Sequence, residues 1–490
     1  MAEEGINVLV YAVRPRVVLK YCGQLALMLA LLTLAPLIFS LVQTEWVLVT
    51  RYSVLCSGLL LIGSQLARLP TPTHIQANEA LTITAIMFLL SPLLMSWPMM
   101  ASGAAYLDAL FEAVSGVTTT GLSTLASIES RSDSFLFARA WMQWYGGLGI
   151  IVLSVGLLMG HQAASRRLTD PVDSGDTLVT TARIHARRTL IVYVLLTLLG
   201  LALVWSLSGN GFSALLHVLA AISTGGFSSY DNSLAGLASQ PAAVAVMTVS
   251  FLGAVSLPLY WQAAHGGWRR GVQLLLTDVE LRALLLAGLL VGGLLSGLAW
   301  LHGTAAPWYD GFMTGFSTQT TAGFATQPMA DLDPAAKVVM IISMLIGGSV
   351  GSSAGGMKLL RLLILLRLLQ MMLLRTGLSS HAVAEPTLSG QRLDDDDVIR
   401  ALQLILLFIM IMVLSWIPFV AMGYDPLNAL FEVASACGTV GLSSGIARPE
   451  LEPTLKGILC FDMLAGRLEI IALLVILYPR NWFGRREETP

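Results

Sequence analysis

GVTTTGLST (116–124) and SACGTVGLSSG (435–445) carry one threonine-and-glycine phrase twice, 320 residues apart. Aligning FEAVSGVTTTGLS (111–123) with FEVASACGTVGLS (431–443) superposes Phe111 on Phe431, Glu112 on Glu432, Ser115 on Ser435 and Gly121 on Gly441. Two more turns, STGGFS (223–228) and TTAGFA (320–325), join the register. Aligned on Gly121, Gly226, Gly323 and Gly441, all four place a threonine two positions earlier: Thr119, Thr224, Thr321 and Thr439. A bulky apolar residue follows each glycine: Leu122, Phe227, Phe324 or Leu442. Before each turn lies a short half-apolar stretch, 106–116, 211–222, 309–319 or 426–436. These are too short to cross a bilayer and fit helices that enter and turn back. An internal repeat sets the architecture. Here the unit is span, re-entrant helix, turn, span, and four copies imply a pseudo-fourfold ring.

The surroundings agree. The 490 residues are 55% hydrophobic and 12% charged, with a mean hydropathy of +0.75. A soluble chain carries about 25% charged residues, so lipid must cover this one. The apolar runs are long and Leu-rich, which predicts spanning helices rather than barrel strands. Ten spans are expected, near 18–43, 46–67, 79–98, 138–160, 187–208, 241–264, 280–302, 335–374, 399–421 and 456–479. The first begins after Arg14 and Arg16 and reads as a retained helix rather than a signal peptide. Placing the N-terminus inside puts most lysines and arginines on that side, among them Arg166, Arg167, Arg183, Arg485 and Arg486. This bias predicts both termini inside. Cys22, Cys56, Cys437 and Cys460 have neither disulfide nor zinc spacing. His161, His185 and His217 form no ligand set either.

Non-helical backbone at membrane depth survives where it is buried in protein or lines a wet cavity. Four such turns around one axis would aim carbonyl oxygens inward, and rings of this kind replace the hydration shell of potassium. The C-terminal ends of the re-entrant helices add partial negative charge. The expected filter is Thr118, Thr119, Thr120 and Gly121; Ser223, Thr224, Gly225 and Gly226; Thr320, Thr321, Ala322 and Gly323; and Gly438, Thr439, Val440 and Gly441. Potassium is expected at Thr119, Thr224, Thr321 and Thr439, with no covalent cofactor. Only one glycine aligns in all four turns, against two in a channel's TVGYG, so weaker discrimination against sodium is expected. Arg139 and Gln143 read as anchors of the first turn. Glu112 and Glu432 read either as cation-enriching groups or as helix–helix hydrogen-bonding partners. Asp425 and Asp310 read as helix caps, and DDDD (394–397) as a solvated loop.

With these turns in place, the chain resembles the Trk/Ktr/HKT superfamily of potassium transporters, specifically its TrkH-type membrane subunit. QWYGGLGIIVL (143–153), GGSVGSSAGGMK (347–358) and MLAGRLEI (463–470) strengthen the resemblance. It implies an all-α integral membrane protein with four channel-like M1–P–M2 repeats around a central pore and two extra N-terminal transmembrane helices. The bounds are 1–72 for the extension, then 73–170, 180–275, 276–380 and 395–490 for the repeats. Residues 335–374 are too long for one crossing, and Gly347, Gly348, Gly351, Gly355 and Gly356 with Ser349, Ser352 and Ser353 break them midway. The resemblance makes this stretch, through Lys358, an intramembrane gating loop. Arg467 is read as an intramembrane charge, marking an ion path or a buried pair with Asp462 or Glu469. The resemblance favours a place below the filter. It further implies potassium uptake across the bacterial inner membrane, a homodimer, and a TrkA-like cytoplasmic nucleotide-binding partner, with no nucleic acid.

Other classes fit less well. A solute transporter with broken helices would show inverted repeats, whereas these run parallel. An intramembrane enzyme needs a polar catalytic cluster, and a pump needs a phosphate loop; neither is present in the sequence. Coupling to H⁺ or Na⁺ remains the alternative to a passive pore.

Overall fold

The computed structural model describes residues 12–71, 75–158, 178–377, 387–388 and 391–483. Arg166, Arg167, Arg485, Arg486 and His161 lie outside the described residues. Helices α1 (Pro15–Val42) and α2 (Trp46–Ala67) form an antiparallel pair. A Cβ at Gly63 would stand 3.0 Å from the Gly23 carbonyl, the close approach that small residues allow between helices in lipid. The pair is tied to α3 (Ala77–Met99) by Arg14, whose Nε lies 2.8 Å from Glu79 Oε1.

Then come α4 (Tyr106–Val117), α5 (Asp133–Leu158), α6 (Leu178–Ser208), α7 (Gly211–Ile222) and α8 (Gln240–Ala254). Helices α9 (Leu257–His265), α10 (Trp268–Thr277), α11 (Val279–Leu301), α12 (Pro307–Gln319) and α13 (Pro334–Ile346) follow. The chain continues through α14 (Leu359–Arg375), a two-residue hairpin pairing Thr387–Leu388 with Gln391–Arg392, and α15 (Asp395–Ala421). It ends in α16 (Pro426–Cys437), α17 (Pro453–Arg467), α18 (Ile471–Leu477) and α19 (Pro479–Trp482). Among the described residues six helices are long and apolar enough to cross a membrane, and the bent pair α8–α9 makes a seventh. Their outward faces carry exposed leucine, isoleucine and tryptophan, as a lipid-facing surface requires. The protein is a multi-pass, helical membrane protein.

Helix starts follow capping chemistry. Asp425 accepts from Asn428 N–H at 2.9 Å ahead of Pro426, so this residue is the cap that its sequence context predicts. Asp310 is not a cap. It sits inside α12 and accepts from Thr326 Oγ1 at 2.8 Å.

Three predicted spans are each two helices. The run 241–264 bends by 85° between α8 and α9, where Pro258 lacks the N–H that would continue the ladder. The run 335–374 breaks between α13 and α14, as the glycines predict. The run 456–479 breaks after Arg467, with Glu469 at φ 51° and Ile470 at φ 65°. Arg467 is therefore not in mid-helix. It is the last residue of α17, where a cation complements the helix dipole.

Candidate functional site

Each of the short helices α4, α7, α12 and α16 ends in the same way. Thr119 donates its N–H to Gly116 O at 3.0 Å and Thr120 to Ser115 O at 2.9 Å. The same pair of bonds recurs at Thr224 and Gly225, Thr321 and Ala322, and Thr439 and Val440. This is the Schellman pattern, whose left-handed residue is usually glycine. Here it is threonine four times, at φ 53°, 50°, 53° and 48° for Thr119, Thr224, Thr321 and Thr439. A β-branched residue in that region is strained by about 1–3 kcal/mol, and such strain concentrates at functional sites. The helix C-termini thus end at the turns and direct their negative ends there.

The four turns meet in a closed ring. A Cβ on Gly121 would fall against the carbonyl oxygen of Gly225, on Gly226 against Ala322 O, on Gly323 against Val440 O, and on Gly441 against Thr120 O, all within 2.5 Å. The glycine of each turn thus touches the carbonyl before the glycine of the next, and the fourth returns to the first. Only glycine fits this approach at positive φ. Several predicted hydroxyls are turned away: Thr118 bonds Val114 O at 2.7 Å, Ser223 bonds Leu219 O at 2.9 Å and Thr320 bonds Phe316 O at 2.6 Å. Thr119 Oγ1 and Thr439 Oγ1, by contrast, are buried with no hydrogen-bond partner. Among the described residues no donor reaches the carbonyls of Thr119, Thr224, Thr321 or Thr439. Buried oxygens without donors are a donor set suited to a weakly hydrated cation.

The glycine–serine loop 347–358 lies against the threonine side of this ring. Gly355 donates its N–H to Thr321 Oγ1 at 2.7 Å, and Gly356 to Gly438 O at 3.0 Å. Ser353 Oγ is 2.9 Å from both Ile222 O and Gly253 O and 3.4 Å from Thr224 Oγ1. The break between α8 and α9 receives the loop: Ser349 N–H reaches Ala254 O at 3.1 Å, and Leu257 N–H reaches Gly351 O at 3.1 Å. Val350 N–H is taken by Glu280 Oε2 at 2.8 Å, and Gly347 O by Gln319 Nε2 at 2.8 Å. Ser352 Oγ bonds Ser349 O at 2.6 Å. Gly348 O accepts from Leu359 N–H at 2.9 Å, and Lys358 Nζ bonds Ala354 O. Arg467, 2% exposed, donates through Nη1 to Ser353 O at 2.7 Å and through Nη2 to Gly146 O at 3.4 Å. It pairs with neither Asp462, which takes Ser415 Oγ at 2.5 Å, nor Glu469, which pairs with Arg361.

Arg139 and Gln143 do anchor a turn, but chiefly the second. Gln143 bonds Gly225 O and accepts from Phe227 N–H at 3.1 Å. Arg139 lies 3.8 Å over the Phe227 ring and 2.8 Å from Glu112. Glu112 in turn holds Ser123 Oγ at 2.5 Å, so it is a structural acceptor, not an exposed charge. Replacing Arg139 by alanine strands a buried carboxylate and is expected to cost about 3–5 kcal/mol. Thermal unfolding in detergent checks this, with much of the loss recovered in the Arg139→Leu/Glu112→Gln double variant. Farther out, the Asp231 carboxyl is subject to burial that raises its pKa, but the Ile128 N–H, Ser127 hydroxyl and Glu129 N–H outweigh it and hold it below the usual range.

Sequence reading missed Gln319 and Glu280 and gave His217 no role, because none of them belongs to a repeated spacing of like residues. It also missed a spacing. Gly146, Gly253, Gly347 and Gly466 each stand 14 residues beyond the residue that precedes α5, α8, α13 or α17. A Cβ on Gly146, Gly253 or Gly466 would strike the last carbonyl of the neighbouring short helix, Val117, Ile222 or Cys437, within 2.3 Å.

The TrkH family of cation transport proteins matches residues 61–482. The Trk system potassium uptake protein TrkH of Vibrio parahaemolyticus is 31% identical over 397 residues, covering 76% of this chain and 79% of the relative. The Trk system potassium uptake protein TrkI of Halomonas elongata is 29% identical over 488 residues, 95% of this chain and 96% of its own. The crystal structure of the potassium transporter TrkH from Vibrio parahaemolyticus superposes with a TM-score of 0.84 at 26% identity, covering 96% of this chain and all of that one.

Proposed function

Since the chain belongs to the TrkH family, whose members are cation transport proteins rather than enzymes, we propose that it takes up potassium through a pore lined by the four turns. The observation that carries this reading is the ring itself, in which glycines and neighbouring carbonyls interlock from the first turn round to the fourth. Donor-free oxygens at Thr119 and Thr439 supply what a dehydrating cation needs. The repeats are 73–170, 180–275, 276–380 and 395–490, each an M1–P–M2 unit, after the two-helix extension at 1–72.

The loop 347–358 is the gate, held shut against the threonines. Its hydrogen bonds are worth about 1 kcal/mol each, so opening requires work from a partner. That partner is a cytoplasmic nucleotide-binding subunit of the TrkA kind, acting on a homodimer in the bacterial inner membrane with both termini cytoplasmic. Names of relatives that speak of a Trk system support a multi-component assembly.

Radioactive rubidium uptake into proteoliposomes, driven by a potassium gradient alone and challenged with K⁺, Na⁺ and Li⁺, tests the reading. Uptake competed by K⁺ more strongly than by Na⁺ is expected. Uptake that requires a proton or sodium gradient would replace the passive pore by a coupled carrier.

A further inference from the structure

The four turns are not supported equally. The position seven residues before each ring threonine is Glu112, His217, Thr314 or Glu432, and the position four after is Ser123, Ser228, Ala325 or Ser443. All four members of the first set are buried. Three pairs are joined: Glu112 to Ser123 at 2.5 Å, His217 Nε2 to Ser228 Oγ at 3.0 Å, and Glu432 to Ser443 at 2.8 Å. Each bond clamps the segment leaving the ring onto the helix that enters it. The third pair is missing, because Ala325 has no hydroxyl and Thr314 Oγ1 is buried without a partner. The third turn keeps only the bond one residue farther out, Thr326 Oγ1 to Asp310 Oδ1 at 2.8 Å, which the first turn has as well between Thr124 and Asp108. Ala325 is held from outside instead, by Ser233 Oγ at 3.1 Å and Leu234 N–H at 3.0 Å on the segment after the second turn. The third turn is also the one whose threonine hydroxyl accepts a backbone N–H from the loop.

We propose that these buried clamps set the ring's preference for potassium over sodium, and that the third turn, which lacks the one nearest the ring and keeps only the Thr326–Asp310 bond farther out, is where the preference is weakest. The proposal rests on the filter reading above. Sodium is smaller and more strongly hydrated, so it is accommodated when a ring contracts around it; a ring fixed at the larger radius leaves sodium under-coordinated. A polar group on the short helix joined to a hydroxyl beyond the turn fixes that radius. The chemistry of the polar group is secondary, since a carboxylate serves twice and an imidazole once. Thr314 and Ala325 are therefore specificity-determining positions, and Glu112, His217 and Glu432 with their serines are positioning residues.

The test compares potassium and sodium flux ratios in proteoliposomes of the full chain. Ser443→Ala, Ser123→Ala and Ser228→Ala each remove the clamp together with the serine's bonds to its own exit segment, and are expected to lower the ratio about threefold to tenfold. Ser443→Thr restores the hydroxyl and the ratio. The Thr314→Glu/Ala325→Ser double variant supplies the missing clamp and raises the ratio. Ser64→Ala, on α2 outside the four turns, leaves it unchanged. Wild-type-like ratios in all three alanine variants, with wild type itself preferring potassium, would overturn the proposal and leave the filter reading standing. A wild type that conducts without preferring potassium would overturn both.

Discussion

Gly323→Ser is expected to abolish the preference for potassium and to cut rubidium flux by roughly thirtyfold or more. Gly323 stands at φ 71°, and a Cβ there would overlap the Val440 carbonyl oxygen. That carbonyl cannot give way cheaply, since Val440 N–H is tied to Ser435 O at 2.8 Å and Gly441 N–H to Ser435 Oγ at 3.0 Å. Overpacking and the left-handed backbone together cost about 2–4 kcal/mol, which at about 1.4 kcal/mol per decade sets the size of the loss. The helices are untouched, so size-exclusion behaviour and helical content should match wild type. Flux and selectivity equal to wild type would mean that the ring is not the conducting path.

Arg467→Ala should act in the other direction and raise resting flux in the absence of any regulator by about 10- to 150-fold. The guanidinium joins the loop at Ser353 O to α5 at Gly146 O, and hydrogen bonds from a charged donor are worth about 1.5–3 kcal/mol. Arg467→Lys keeps the charge and loses the forked geometry, so an intermediate flux is expected. Resting rubidium flux in proteoliposomes, measured at matched protein density, decides the matter. An unchanged resting flux in the alanine variant would remove Arg467 from the gate.

Much of this was legible before any coordinates, for a specific reason. Thr119, Thr224, Thr321 and Thr439 repeat at four identical left-handed helix endings where glycine would be the unstrained choice, so the repeat stands out against the local preference, and Gly121, Gly226, Gly323 and Gly441 repeat because a neighbouring carbonyl occupies the space of a side chain. Such local demands leave fixed spacings. The loop announced itself through five glycines in a stretch too apolar to be outside the membrane. The break between α8 and α9 was hidden, because only Pro258 marks it inside an otherwise unbroken apolar run. Gln143 supports the second turn from the helix that follows the first, which is a tertiary relation that no local pattern encodes. The clamp at His217 escaped because an imidazole stands where Glu112 and Glu432 stand, and alignment by residue type does not equate them.

The central claim, that the four turns bind the transported ion in one ring, is tested most directly by anomalous diffraction from crystals grown in rubidium. The account predicts anomalous peaks on the axis enclosed by the carbonyls of Thr119, Thr224, Thr321 and Thr439. Rubidium bound elsewhere within the protein, with no peak inside that ring, would contradict it.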